Sequence, residues 1–224
     1  TPDEASLGEC RKTQNRGRDM IASVRRLHQA GLDVQGGFIV GFDSDRPNIF
    51  DRQIRFIQES GIVTAMVGLL QAPRGTRLYE RLRREGRLLR ETSGNNTDAS
   101  MNFIPKMDAQ VLLDGYRKIL DTIYSPEAYY QRVKTFLKEY APAGVVKPRI
   151  RAPEIGAFFR AMYALGIKGR ERAHYWRLFF WTLFRRPQLL AKAITYSIYG
   201  LHFRKVWEKY APALRGNGIR AAPR

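Results

Sequence analysis

LDVQGGFIVGFD, residues 32–43, decides how the rest of the chain is read. Its apolar residues describe an extended strand that runs into a glycine-relieved turn, with Pro47 placed where the next helix begins. Side chains alternate along a strand, so Gln35, Gly37, Ile39 and Gly41 share one face and Val34, Gly36, Phe38 and Val40 the other. The first face is nearly bare backbone. Glycine packs nothing in a strand and loses the most conformational entropy on folding, so Gly36, Gly37 and Gly41 need a compensating reason. Two reasons are open: a flat ligand resting on the peptide planes, or relief of crowding where a helix crosses the sheet.

Working outward, a short turn of helix is expected near residues 5–10 and a helix over about 19–30, with Met20, Val24 and Leu27 at helical spacing and Gly31 as its stop. A second helix enters through Asp45 and Pro47, turns Phe50, Ile54 and Ile57 inward and ends at Gly61. Residues 62–70, IVTAMVGLL, lack both alternation and polarity, as does a parallel strand covered on both faces. Gln71, Ala72, Pro73 and Gly75 make the turn at its carboxyl end, and a third helix over 76–85 is capped by Gly86. This alternation means βαβ units and a parallel sheet, whose ligands sit at the carboxyl ends of the strands. Two parallel strands are too few to bury both faces of a sheet, so the reading expects the chain to lack its beginning.

The 224 residues contain one cysteine, Cys10, expected as a small buried hydrophobe. No disulfide framework or multi-cysteine metal site can be built from it, and no metal ligands are assigned; a reducing cytoplasm fits. The chain starts at Thr1 with neither a basic n-region nor an apolar h-region, so no signal peptide is read, and Asn95-Asn96-Thr97 is taken as a chance sequon. Charge divides the chain: residues 1–140 carry 22 Lys and Arg against 18 Asp and Glu, a net of +4, and residues 141–224 carry 17 against 3, a net of +14. The expected organisation is an α/β part over 1–90 and a helical domain over 91–224, basic from about 141. Its helices are placed at 108–123, 125–140, near 154–165 and near 170–185, with one or two more over 187–210, a proline-rich connection at 141–153 and a loose tail at 216–224.

Residues 173–207 interleave Trp, Phe, Tyr and Leu with Arg and Lys. The longest uncharged run there, 193–203, falls well short of the roughly 18 residues that suggest a membrane span. Three readings stay open. The stretch lies on an anionic membrane, with Trp176, Phe180 and Trp181 in the interface and Arg177, Arg185 and Arg186 at head groups; it forms a bundle with the aromatics as core; or it binds nucleic acid, the least favoured because no motif of fixed spacing appears. His28, His174 and His202 make no metal-ligand spacing. Asp43 and Asp45 resemble a carboxylate pair, but capping of the following helix accounts for Asp45, and packing accounts for Tyr129 and Tyr130. No Ser-His-Asp set and no P-loop is visible.

TPDEASL, then NRGRD opening a helix, then GGFIVGFDSD and VGLLQAPRGTRLYERL resemble, in that order, the C-terminal half of the radical SAM fold. The nearest subgroup is the cobalamin-binding type with a helical C-terminal domain of unknown function. The resemblance implies the C-terminal part of a partial (β/α)6 barrel followed by a basic all-α domain. It implies that Gly37, Ile39 and Gly41 are the GxIxG contact to the adenine of S-adenosylmethionine, with Gln35 at its edge and backbone near Gln71 and Ala72 meeting the purine. Asn15, Arg16 and Arg18 are weaker candidates for the cofactor's carboxylate and ribose. The parent enzyme would cleave S-adenosylmethionine to a 5′-deoxyadenosyl radical, with cobalamin-dependent methyl transfer to an unreactive carbon of a lipid-like substrate as one outcome. The CxxxCxxC loop that holds a 4Fe–4S cluster does not occur in this sequence. Cluster and cobalamin would be bound by a missing N-terminal half, which is then the first partner, and the isolated chain would be inactive. The implied location is the cytoplasm, peripheral at the inner membrane face. The alternative is a basic helical module binding membrane or nucleic acid without catalysis of its own.

Overall fold

The computed structural model describes residues 1–92, 101–142 and 152–216. A short helix α1 (Glu4–Glu9) and a longer α2 (Met20–Gln29) precede strand β1 (Gly36–Val40), helix α3 (Ile49–Ser60), strand β2 (Ala65–Leu69) and helix α4 (Arg77–Arg84). The remainder is helical: α5 (Ala109–Ile123), α6 (Pro126–Glu139), α7 (Ala152–Ala161) running into a π-helical turn (Met162–Ile167), α8 (Arg172–Arg185) and α9 (Leu190–Gly216). Five helices open where a short polar side chain accepts an early amide: Asp3, Asp19, Thr76, Asp108 and Ser125.

The molecule is thus mostly helical around a two-stranded parallel sheet, an α/β arrangement. The register pairs Gly36 with Ala65, Phe38 with Val67 and Val40 with Leu69. These residues form the packed face, and Ile49, Phe50 and Ile57 of α3 with Leu112, Leu113 and Ile119 of α5 close one core over it. Gly36 belongs to this face: a Cβ there would stand 2.7 Å from Phe38 Cε2. A second core gathers Val133, Phe136 and Leu137 of α6 with Leu165, Tyr175, Leu178 and Tyr196 from the later helices.

The ladder also orients the strand edges. Gly36 N–H bonds the Thr64 carbonyl at 3.0 Å and Leu70 N–H the Val40 carbonyl at 2.9 Å, so alternate residues of β1 turn their peptide groups toward β2. The groups of Gly37 and Ile39 lie on the outer edge, where Gln53 of α3 takes the Ile39 carbonyl at 2.8 Å. The far edge of β2 is sealed by side chains. Tyr124 donates to the Ala65 carbonyl at 3.0 Å and Tyr116 to the Val67 carbonyl at 3.3 Å.

Several expectations are corrected. The second strand is covered on one face only, because Met66 and Gly68 look out from the face opposite the core. On α2, Val24 packs on the core as expected, but Leu27 is exposed and His28 turns inward in its place against Phe136. The second helix starts at Ile49 behind Asn48 rather than through Asp45, because Asp45 is engaged with the turn before it. Cys10 is exposed, its thiol donating to the Ser6 carbonyl. Of the one or two helices expected over 187–210 there is one, and it runs further than expected, from Leu190 behind a short 3-10 turn through Pro212 to Gly216. Trp181 is half-buried under Lys134 against the second core, and Arg186 bonds the Lys138 and Tyr140 carbonyls, so both make contacts within the fold. The sequon at 95–97, most of the 141–153 connection and the tail beyond 216 lie outside the described residues.

Candidate functional site

The open face of the sheet is built from four residues. Gly37 pairs with Met66 and Ile39 with Gly68, so each glycine stands opposite an apolar side chain across the ladder. A Cβ at either Gly37 or Gly68 would meet no atom within 4 Å. Ile39 is 41 % exposed and Met66 59 %, and these two flank the bare peptide planes. The surface is flat, apolar and unobstructed, the shape that accepts the face of a planar ring.

At the carboxyl end of β1 the chain turns through Gly41, whose φ of 104° lies in the region that favours glycine. Asp45 fixes this turn by accepting the Gly41 and Phe42 amides at 2.8 and 3.1 Å and the Ser6 hydroxyl at 2.8 Å. Burial raises the Asp45 carboxyl above its ordinary value against the opposing pull of these bonds. Asp43 points elsewhere: Arg87 grips it with both terminal nitrogens at 2.9 and 2.7 Å, and Arg81 stands 3.1 Å away. The Arg87 bonds hold the Asp43 carboxyl below its ordinary value. Arg81 also reaches Glu9 at 3.0 Å, and Glu9 accepts from the Ser44 amide and hydroxyl. The two aspartates take different direct partners and do not form an acid–base pair; they are linked only at a distance, through Ser6, Ser44 at 3.0 Å from it, Glu9 and Arg81, and Asp45 latches a turn where capping was expected.

Gly37 and Ile39 stand together on the open face, and Gln35 is exposed just ahead of it. Gly41 does not share that face, because its missing side chain is directed at Met101 Cε and Leu112 Cδ2, 3.2 and 3.4 Å away. Ala72 is closed off. It is fully buried, and its amide and carbonyl are both bonded by Asn102 at 2.9 Å, so its backbone offers nothing to a purine. Gln71 precedes it in the turn, half-buried. Asn15 ends an exposed 3-10 turn (Thr13–Asn15), and Arg16 and Arg18 follow it on an exposed link, where Arg16 pairs with Glu4 at 3.5 Å.

Sequence reasoning missed Met66 and Gly68 as members of the face. Their signal was present: the AMVGL segment places Met66 and Gly68 on one side by the same alternation that selected Gly37 and Ile39. It also missed Ser6, Asn102, Tyr116 and Tyr124, whose roles depend on partners 30 to 59 residues away. Among the described residues, no group of three or more His, Cys, Asp or Glu side chains could hold a metal ion.

A family model described as a domain of unknown function, DUF4070, matches residues 76–215. An uncharacterized methyltransferase of Synechocystis sp. is 34 % identical over 208 residues, 91 % of this chain and 38 % of that protein. The hopanoid C-2 methylase of Rhodopseudomonas palustris is 28 % identical over 185 residues, 79 % of this chain and 34 % of its own length. The bacteriochlorophyllide d C-12(1)-methyltransferase of Chlorobaculum tepidum is 27 % identical over 128 residues, 57 % of this chain and 28 % of the relative. The chain thus spans about a third of the length of these curated relatives. No solved structure matches it.

Proposed function

The chain belongs to the family described as domain of unknown function DUF4070, and from that premise we propose that it is the C-terminal part of a radical SAM enzyme that methylates an unreactive carbon. The resemblance read from the sequence is borne out at the level of family, and the printed names of the relatives, two methyltransferases and a methylase, support methyl transfer. A lipid-like substrate, the use of cobalamin and a cytoplasmic location belong to this proposal. Among the described residues, no helix is long and apolar enough to cross a membrane.

One observation carries the reading: the checkerboard of Gly37, Met66, Ile39 and Gly68, a face of peptide planes with no side chain over them. The adenine of S-adenosylmethionine fits such a face, stacking on the planes with Ile39 and Met66 at its rims. Bound there, the cofactor supplies a methyl group or, on one-electron reduction, a 5′-deoxyadenosyl radical. The contribution of this chain is to hold the adenosine end flat and exclude water from one side. The iron–sulfur cluster finds no ligand set here, since Cys10 is the only cysteine, and no step is assigned to it on this chain.

The edges of the sheet support a partner half. The far edge of β2 is sealed by Tyr116 and Tyr124, whereas the outer edge of β1 carries the peptide groups of Gly37 beside the Ile39 carbonyl that Gln53 takes. Further strands of a partial barrel would join on the β1 side. Calorimetric titration of the full protein with S-adenosylmethionine tests the reading. Gly68→Val should abolish binding while leaving the fold intact, and unchanged affinity would overturn the site.

A further inference from the structure

Helix α8, RAHYWRLFFWTLFR, is apolar on two sides. Tyr175, Leu178 and Thr182 are buried. On another face Trp176, Phe180 and Phe184, four residues apart, stack in a row with centroids 5.5 and 6.3 Å apart and near-parallel planes at 24° and 16°. Phe180 is 47 % exposed and Phe184 77 %. The Trp176 indole donates to the Gly166 carbonyl at 2.9 Å, which joins the row to the Met162–Ile167 turn, where Tyr163 and Ile167 are also exposed. Large exposed apolar side chains gathered on one helix and the turn before it mark a place of contact.

Its surroundings define the partner's charge. Lys168, Arg170, Arg172, Arg177 and Arg185 are exposed, and none forms an ion pair among the described residues. The acid in this stretch, Glu171, is buried and held by Arg204 at 3.0 Å. Residues 141–224 carry 17 basic against 3 acidic side chains, a net of +14. Such a charge favours an anionic partner over a neutral or cationic one. Exposed Leu183 and Ile167 beside the rings favour a lipid surface over nucleic acid, because aliphatic side chains gain from acyl chains and give bases nothing to stack on.

We propose that the exposed end of this row, Phe180 and Phe184, with the turn bearing Tyr163 and Ile167, docks the protein on an anionic lipid surface, the two phenylalanine rings at head-group depth and Lys168, Arg177 and Arg185 at lipid phosphates, while Trp176, half-buried against the second core, backs the row. The contact does not depend on the methyl-transfer reading. It replaces Trp181 and Arg186, which the fold employs internally, with Phe184 and Lys168.

The test is co-flotation of the full protein, expressed from its own gene, with vesicles of phosphatidylcholine containing phosphatidylglycerol, beside vesicles of phosphatidylcholine alone and a single-stranded RNA oligonucleotide. The protein should float with the anionic vesicles at low salt and far less with the neutral ones. Arg177→Glu with Arg185→Glu should weaken partitioning by roughly tenfold or more. Phe180→Ser with Phe184→Ser should abolish it while leaving the circular dichroism melt unchanged, since both rings are on the surface. Absence of flotation, flotation indifferent to the two phenylalanines, preference for RNA, or a dimer that dissolves with the same substitutions would each overturn the proposal.

Discussion

Asn102 holds Ala72 by both ends of its peptide, donating to the carbonyl and accepting from the amide at 2.9 Å each. The carboxamide does what a neighbouring strand would do, at a point where β2 has ended and the chain has yet to reach α4. Both groups are buried, so Asn102→Leu leaves an N–H and a C=O without partners and should cost about 2–4 kcal/mol, measured as a lower urea midpoint. Asn102→Asp should be nearly as damaging, because a carboxylate has nothing to donate to the Ala72 carbonyl. A midpoint unchanged in both variants would show that solvent reaches the turn.

The strands and the helix caps were legible because each is decided within a few residues: alternation marks Gly37 against Phe38, and Asp19, Thr76 and Asp108 sit just ahead of the amides they accept. What the sequence hid is decided at long range. Nothing local distinguishes Asn102 from a loop asparagine, or Tyr124 from a packing tyrosine, before β2 arrives at the far end of their hydrogen bonds. Gly41 fell between the two cases. Strict alternation puts it on the face of Gly37, but its positive φ ends the strand and redirects the missing side chain toward Met101. The apolar run of 62–70 was read as doubly covered because Met66 looks like a core residue; its exposure reflects the open side of the sheet.

Asp43 and Asp45 should respond oppositely to neutralisation. The Arg87 bonds and charge lower the Asp43 pKa in the folded state, so its contribution to stability is present above the ordinary 3.8 and is lost as pH falls through the folded value. Asp43→Asn at neutral pH should cost about 2–3 kcal/mol, the worth of charge-assisted bonds that Arg87 cannot replace. For Asp45 burial raises the folded pKa, so the stability linked to its titration is present below 3.8 and lost as pH rises through the folded value. Asp45→Asn keeps an oxygen for the Gly41 and Phe42 amides and removes the buried charge. Its melting temperature at neutral pH should equal or exceed that of the parent, and a large fall would show that the charge itself holds the turn.

His28 predicts an acid-side slope. Its imidazole is buried edge-on to Phe136, centroids 4.9 Å apart, and neither ring nitrogen has a hydrogen-bond partner among the described residues. Burial lowers its pKa, with Asp33 and Glu139 pulling weakly the other way. The folded state therefore resists a proton that the unfolded chain accepts. Stability is full above the ordinary 6.5 and declines as pH falls through that value toward the folded pKa. His28→Phe should flatten the slope between pH 6.5 and the carboxylate range in pH-dependent urea melts, whereas an unchanged slope would assign it to other groups.

Gly36 and Gly37 are adjacent, identical and on opposite faces, which lets one substitution type separate folding from binding. A side chain at Gly36 meets Phe38 Cε2 at 2.7 Å and Ile62 Cγ2 at 3.2 Å, so Gly36→Val overpacks the core and should destabilise by about 1–3 kcal/mol. At Gly37 a side chain enters open space on an extended backbone, where valine suits the strand better than glycine. Gly37→Val should therefore melt at or above the parent temperature while losing S-adenosylmethionine in a calorimetric titration. If it instead melts lower and binds normally, the face above Gly37 is covered in the full protein, and the glycine serves packing rather than a ligand.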